Sequence, residues 1–368
     1  MNNGKLDLVV EDEEYIAESG DQTPEKNGNG NGNGKCVFDF EKAEKALPST
    51  TIQNEPRVPD MQLGKCRYVR LHDNVNYVAA SLILRGEGAA TEVLLIQEAK
   101  KSCRGKWYMP AGRVEAGETV EEAVIREVLE ETGFNCEVVE LLSLQVQGSG
   151  WYRFAFYCNI TGGNLKTVAD QESLAAQWFP IADVKSNKIS LRGKDFVKLI
   201  DEAITYRSQY EKSKIERILP ICENVAGLFL EFMIVKHSRD GLRTEVLVHK
   251  SIKDETYLKE HEQPFPTVEF GFEYFFAMVV SKCYRHLLEE GANVVFTPSH
   301  VVRVKCSPKP MESLAHGISV RVFCQHKQSA TKAIIRSPRY HWISVENQET
   351  RQLFHMDQKQ FRSSLHML

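Results

Sequence analysis

The chain has 368 residues, 42% of them hydrophobic and 26% charged, with 46 Lys and Arg against 50 Asp and Glu for a formal net charge of −4. That length suggests two domains plus tails, and the composition is that of an ordinary globular protein. The charge balance leaves no basic footprint for nucleic acid, and no apolar run approaches the roughly 20 residues of a membrane helix.

The N-terminus, MNNGKLDLVVEDEEY, lacks the basic-then-apolar layout of a secretion signal. Nine cysteines, an odd number without C-x-x-C spacing, argue against a metal knuckle or a secreted disulfide framework. Reduced thiols in the cytoplasm or nucleus are therefore expected. Residues 1–65 are acidic and polar and include NGNGNGNG (27–34). That repeat has no apolar surface to offset ordering entropy, so a disordered tail is expected. Within it, CVFDFEKAEKAL (36–47) reads as tail decoration or as a transient, partner-binding helix.

The first structured unit spans 66–212. NYVAASLILR (76–85) and EVLLIQEAK (92–100) read as strands joined by GEGAA. KWYMPAGR (106–113) is a third extended piece, and a helix follows it. EVVELLSLQVQ (137–147) and WYRFAFYCNI (151–160) read as a hairpin about GSG. SLAAQWFPIADV (173–184) reads as a strand, and KDFVKLIDEAITYRSQYEK (194–212) as an amphipathic helix. The layout is α+β.

The helix after the third strand lies within AGRVEAGETVEEAVIREVLEETGF (111–134). Thr119 and Glu122 fit a capping box, and Gly133 fits a left-handed C-cap. Val120, Ala123, Val124 and Val128 form its buried side. Glu127, Glu130 and Glu131 share another face at i, i+3 and i+4, where like charges repel mildly. Clustered carboxylates become favourable around a divalent cation, and Mg²⁺ selects such hard oxygen ligands together with substrate phosphates. Arg126 is placed to orient and partly neutralise the cluster, and Glu118 enters from the preceding loop.

Gly112, Glu118, Arg126, Glu127, Val128, Glu130, Glu131, Gly133 and Phe134 match G-x5-E-x7-R-E-U-x-E-E-x-G-U at every position, and so resemble the box of the Nudix hydrolases. The resemblance implies a mixed sheet sandwiched between helices and hydrolysis of nucleoside diphosphates linked to another group. It also implies Mg²⁺ or Mn²⁺ held by Glu127, Glu130 and Glu131, with a further ligand from the carbonyl of Ala111. Glu118, Glu130 and Glu172 are all candidates for the general base, with Arg126 supporting the catalytic carboxylates. Leu94, Arg104, Trp107 and Gly112 are candidate substrate contacts.

Residues 93–113, 172–180 and 191–207 further resemble the animal MutT-type subgroup that hydrolyses 8-oxoguanine nucleoside diphosphates. This implies a small-molecule partner, with no nucleic acid and no membrane involved, and leaves the oligomeric state open. Ser190 to Arg192 lie where related purine sanitisers place edge-reading carboxylates, yet no acid is present. ADP-ribose hydrolases tend to carry a proline near Ser149, and dinucleoside polyphosphate hydrolases a tyrosine near Tyr152. Those substrates, and a non-catalytic nucleotide-binding scaffold, are the alternatives.

Residues 215–368 read as a second α+β unit whose segments echo the first. TEVLVHKSIK (244–253) echoes TEVLLIQEAK (91–100), RHLLEEG (285–291) echoes the end of the box, and HWISVEN (341–347) echoes QWFPIAD (177–183). The offsets grow from 153 to 159 to 164 residues, as an internal duplication with small insertions would leave them. His286 takes the place of Glu127, and Glu273 lies four residues too early to replace Glu118. A degenerate Nudix repeat without metal chemistry is one expectation, and an unrelated α+β domain whose helix ends in EEG by chance is the other.

Overall fold

The computed structural model describes residues 61–63, 69–148, 150–209, 217–238, 243–258, 264–271, 275–287, 296–307, 316–326, 338–354 and 361–367. All of them belong to one unit, Ile52–Leu368. The Asn-Gly tail, the 36–47 segment, Ser149, Glu273, Glu289 and Glu290 lie outside the described residues.

Strand β1 (Met61–Leu63) is followed by β2 (Asn76–Leu82), β3 (Leu84–Arg85), β4 (Glu92–Glu98), β5 (Trp107–Tyr108) and β6 (Ala111–Arg113). Helix α1 (Val120–Thr132) leads into the long hairpin of β7 (Phe134–Gln147) and β8 (Trp151–Gly163). Then come β9 (Ser173–Pro180), α2 (Ile181–Lys185) and α3 (Val197–Gln209). The second half contains β10 (Ile221–Cys222), β11 (Leu228–His237), β12 (Thr244–His249), β13 (Thr267–Phe270), α4 (Phe276–Leu287), β14 (Phe296–Cys306), β15 (Ile318–His326), β16 (Tyr340–Val345), α5 (Gln348–Phe354) and β17 (Ser364–Met367).

Two of the expected elements break where the chain changes sheet. At Ile83 it leaves β2, which pairs with β6 and β8, and enters β3, which pairs with β4 in a smaller sheet. The stretch 106–113 divides likewise. β5 joins β4 in the small sheet, and after Met109 and Pro110 the chain returns as β6 beside β2. That return delivers Ala111 and Gly112 to the flank of α1. The strand expected to run to Val184 ends at Pro180, and a short helix follows. Pro180 lacks the N–H a strand would use and presets the helix entry, while Ile181 and Val184 bury one face at i and i+3.

Among the described residues a mixed sheet of 13 strands runs through both halves; ten follow the order β1-β13-β11-β15-β14-β17-β7-β8-β2-β6, while β10 pairs with β14, β12 with β11, and β16 with β12. The apolar faces of this sheet and of the smaller one form two layers in the first half. One packs Leu94, Leu144 and Phe154 on the buried side of α1, and the other packs Leu95, Leu142 and Tyr157 under Leu199, Ile200 and Ala203 of α3. No described helix is long and apolar enough to cross a membrane.

Acid should loosen the sheet at His300. This β14 residue is 8% exposed and stacks on Phe323 with ring centroids 4.7 Å apart. Burial, reinforced by the Arg362 charge, pushes its pKa down from 6.5 to about 4. The unfolded chain therefore takes up the proton first, and stability present above pH 6.5 is lost as pH falls toward 4. The loss is roughly 3 kcal/mol. Urea unfolding at pH 7 and pH 4.5 should show a drop that is smaller in His300→Phe.

Candidate active site

Helix α1 is fixed at both ends. The Glu122 N–H donates to Thr119 Oγ1 at 3.1 Å, and the Thr119 N–H donates to Glu122 Oε2 at 2.9 Å. Gly133 closes the helix at φ 79°. With Val120, Ala123, Val124 and Val128 buried, rotation about the helix axis is settled. Period alone then turns Glu127 and Glu131 toward β6 and leaves Glu130 on the rim.

Arg126 is the hub. Its Nε donates to Glu118 Oε2 at 3.0 Å and its Nη2 to Glu118 Oε1 at 2.6 Å, a two-pronged grip. Its Nη1 reaches Glu127 Oε1 at 2.7 Å and Glu130 Oε2 at 3.2 Å, and its Nη2 also reaches the carbonyl of Arg113 at 3.0 Å. The hydrogen bonds to Glu118 and Glu127 push its already high pKa further up. Glu118 also accepts from the Glu115 N–H at 2.8 Å, which shapes the loop before the helix.

Glu127 and Glu131 are 8% and 2% exposed. Burial, then the neighbouring Glu127 charge, raises the Glu131 pKa well above the usual carboxylate range, against the Ala111 N–H that donates to its Oε2 at 2.9 Å. Burial raises Glu127 as well, against the pull of Arg126. The Glu127 carboxylate lies on Gly112, where an added Cβ would sit 1.9 Å from its Oε1. Gly112→Ala should therefore displace this carboxylate. The atom met is the end of a flexible side chain, so folding should hold while turnover falls about 100-fold. Thermal melting and steady-state kinetics on one preparation would separate the two effects.

The donor chemistry fits a divalent cation: two buried, electrostatically strained carboxylates lie side by side, with Glu130 at the rim. Among the described residues no three acidic, His or Cys side chains already converge on one point. Glu127 and Glu130 are instead turned to Arg126. Lys100 contributes positive charge close to both Glu127 and Glu131.

The other expected site residues are placed unevenly. Ala111 adjoins the cluster, and the contact seen is its N–H to Glu131. Glu172 is exposed and precedes Ser173, whose hydroxyl donates to the Glu131 carbonyl at 2.7 Å. Leu94 does not face an open groove. It is fully buried in the layer beneath α1, because alternation along β4 turns it toward the helix. Arg104 is exposed and donates to the Ala99 carbonyl of its own loop at 3.1 Å. Trp107 is half-buried and meets the edge of Phe179 at 4.6 Å. Tyr152 is buried against Tyr77, their ring centroids 5.9 Å apart, so it offers nothing to a second nucleotide.

Two polar groups near the site escape the sequence reading. Glu98, 2% exposed, pairs through Oε1 with Arg192 Nη1 at 2.6 Å, and its Oε2 has no partner among the described residues. The Arg192 guanidinium lies 4.8 Å from the centre of the Tyr108 ring. Tyr108 donates to Asp195 Oδ2 at 2.7 Å, and Arg153 Nη2 reaches the same oxygen at 2.5 Å. Burial raises the pKa of Tyr108. Burial also pushes Asp195 up, but Arg153 and these hydrogen bonds win and hold it low. The segment 190–192 runs beside β5, with the Trp107 N–H on the Ser190 carbonyl at 2.8 Å and the Arg192 N–H on the Trp107 carbonyl at 2.9 Å.

The NUDIX domain family model matches residues 75–200, which contain this whole arrangement. The Caenorhabditis elegans protein named "Putative nudix hydrolase 1" is 77% identical over 368 residues, covering 100% of both chains. The human 8-oxo-dGDP phosphatase NUDT18 is 49% identical over 167 residues, which is 44% of this chain and 50% of that protein. The match thus spans half the length of that phosphatase. Among solved structures, a NUDIX hydrolase from Nitrosomonas europaea matches 36% of this chain and 89% of its own, at 25% identity and a TM-score of 0.32. The chain belongs to the Nudix hydrolase family.

Proposed function

We propose that this hydrolase cleaves the diphosphate of 8-oxoguanine nucleoside diphosphates, 8-oxo-dGDP and 8-oxo-GDP, to the monophosphate and phosphate. Glu127, Glu130 and Glu131 would hold the Mg²⁺ or Mn²⁺. The observation that carries the reaction class is the buried Glu127 and Glu131 pair laid against Gly112 and Ala111. Identity of 49% with a human 8-oxo-dGDP phosphatase supports the substrate class.

When bound, the cation would supply charge neutralisation at the phosphate oxygens and a more acidic water. The chain's own groups set the rest. Both oxygens of Glu118 are gripped by Arg126, so Glu118 acts as a brace. The proton of the attacking water is then left to Glu130, held only at 3.2 Å, or to exposed Glu172. Lys100 offers positive charge to the phosphates. Trp107 and the Arg192–Tyr108 stack provide a flat wall for a purine, and Asp195 supplies an acid three residues beyond the segment that lacks one.

The test is a panel with purified protein and Mg²⁺: 8-oxo-dGDP, 8-oxo-GDP, dGDP, the matching triphosphates, ADP-ribose and a diadenosine polyphosphate. Preference for the two oxidised diphosphates is expected. Preference for ADP-ribose or the dinucleotide would keep the hydrolase and overturn the substrate.

A further inference from the structure

The second half repeats the strand pairing of the first. In the first half β2 pairs antiparallel with β6 and parallel with β8, and β8 pairs antiparallel with β7. In the second, β11 pairs antiparallel with β13 and parallel with β15, and β15 pairs antiparallel with β14. β4 pairs antiparallel with β9, and β12 with β16. The end of the first strand turns onto the second in both, as β3 on β4 and as Val235–His237 of β11 on β12. Helix α1 stands between β6 and β7, and α4 between β13 and β14.

The register can be matched residue by residue. The Ser81 N–H donates to the Pro110 carbonyl at 2.9 Å, and the Phe232 N–H donates to the Pro266 carbonyl at 2.9 Å. Counting from these bonds, Ala79 corresponds to Leu230, Ala111 to Thr267 and Gly112 to Val268. Along the helices, Arg126 corresponds to Arg285 and Glu127 to His286. Two changes therefore fall at the positions corresponding to Gly112 and Glu127. The glycine that makes room for the Glu127 carboxylate has become a valine that is 1% exposed, and the glutamate has become a histidine. A carboxylate could not lie flat on that strand.

The corresponding strands β7 and β14 stand on either side of β17 in the sheet. β17 pairs parallel with β7 over Ser143–Val146 and touches β14 at His300. The connecting segment also bridges them, since the Leu141 N–H donates to the Ile218 carbonyl at 2.9 Å and β10 pairs with Lys305 and Cys306 of β14. Each strand would otherwise be a long open sheet edge.

We propose that residues 221–354 are a second copy of the catalytic fold that has lost its cation site, attached to the β7 edge through the flanking segments Ile218 and β17. The proposal rests on the cation assignment made for the first copy. Its test is a titration of Mn²⁺ into the nucleotide-free full chain, followed by electron paramagnetic resonance. One tightly held class is expected, weakened about 100-fold or more in Glu127→Gln. It should be unchanged, with turnover intact, in His286→Gln. A tight class that survives Glu127→Gln and disappears in His286→Gln would overturn the proposal, because the second copy would hold its own ion. A tight class indifferent to both variants would overturn the cation set assigned to the first copy, and with it the loss of that set proposed for the second.

Discussion

Glu127→Gln is expected to lower turnover of the preferred nucleotide on the order of 10³-fold while leaving the fold intact. The amide keeps the shape of the side chain and one oxygen for Arg126, so the packing against Gly112 survives. What disappears is negative charge at the most enclosed position of the cluster. In the cation-free protein that charge is costly, because it is buried beside Glu131, against the favourable pull of Arg126 and Lys100. The variant should therefore melt no lower than wild type without metal. With Mg²⁺ at 100 times its dissociation constant, wild type should gain about 2.7 kcal/mol of stability, and the variant should gain almost none. Melting with and without Mg²⁺ tests the binding separately from the chemistry. A variant that melts much lower without metal would mean that Glu127 serves the fold.

What the sequence discloses about this site is local. The capping box, the glycine at the C-cap and the apolar stripe of α1 are spacings within 15 residues, and they place three carboxylates on known faces before any tertiary contact is known. The hairpin of β7 and β8 is legible for the same reason. Long-range pairing is not. Glu98 and Arg192 are 94 residues apart, and nothing in QEAKK or LRGKD announces that these charges meet. Leu94 is misread because a strand position near a site does not reveal which face of the strand looks toward it. The break at Ile83 and the crossing at Met109 depend on there being two sheets, which alternation alone cannot count. Short echoes at slowly growing offsets do hint at a repeat. The strand pairing, β2 with β6 and β8 beside β11 with β13 and β15, is what lets residues of the two halves be compared place by place.

Glu231→Gln is expected to destabilise the protein by about 3 kcal/mol. Glu231 is 1% exposed and binds Arg321 through both oxygens, Oε2 at 2.6 Å and Oε1 at 3.0 Å, with Arg303 on Oε2 at 3.0 Å. The amide removes the charge that holds two guanidinium groups together on one sheet face. The first half solves this layer differently. Ala80 pairs with Ala155, and Ala155 with Ser143, at the places where Glu231 pairs with Arg321 and Arg321 with Arg303. There the small residues lie under α3 and its apolar face. Replacing one member of a buried ionic group strands the others, whereas replacing all of them with apolar side chains of similar volume is commonly neutral or stabilising. The comparison is therefore Glu231→Gln against the triple variant Glu231→Leu, Arg303→Met, Arg321→Met, by urea unfolding. The single change should lower the midpoint and the triple change should restore most of it. If both are equally destabilised, the three charges hold more than one another. Turnover should follow the folded fraction in either case, since none of the three lies in the catalytic half.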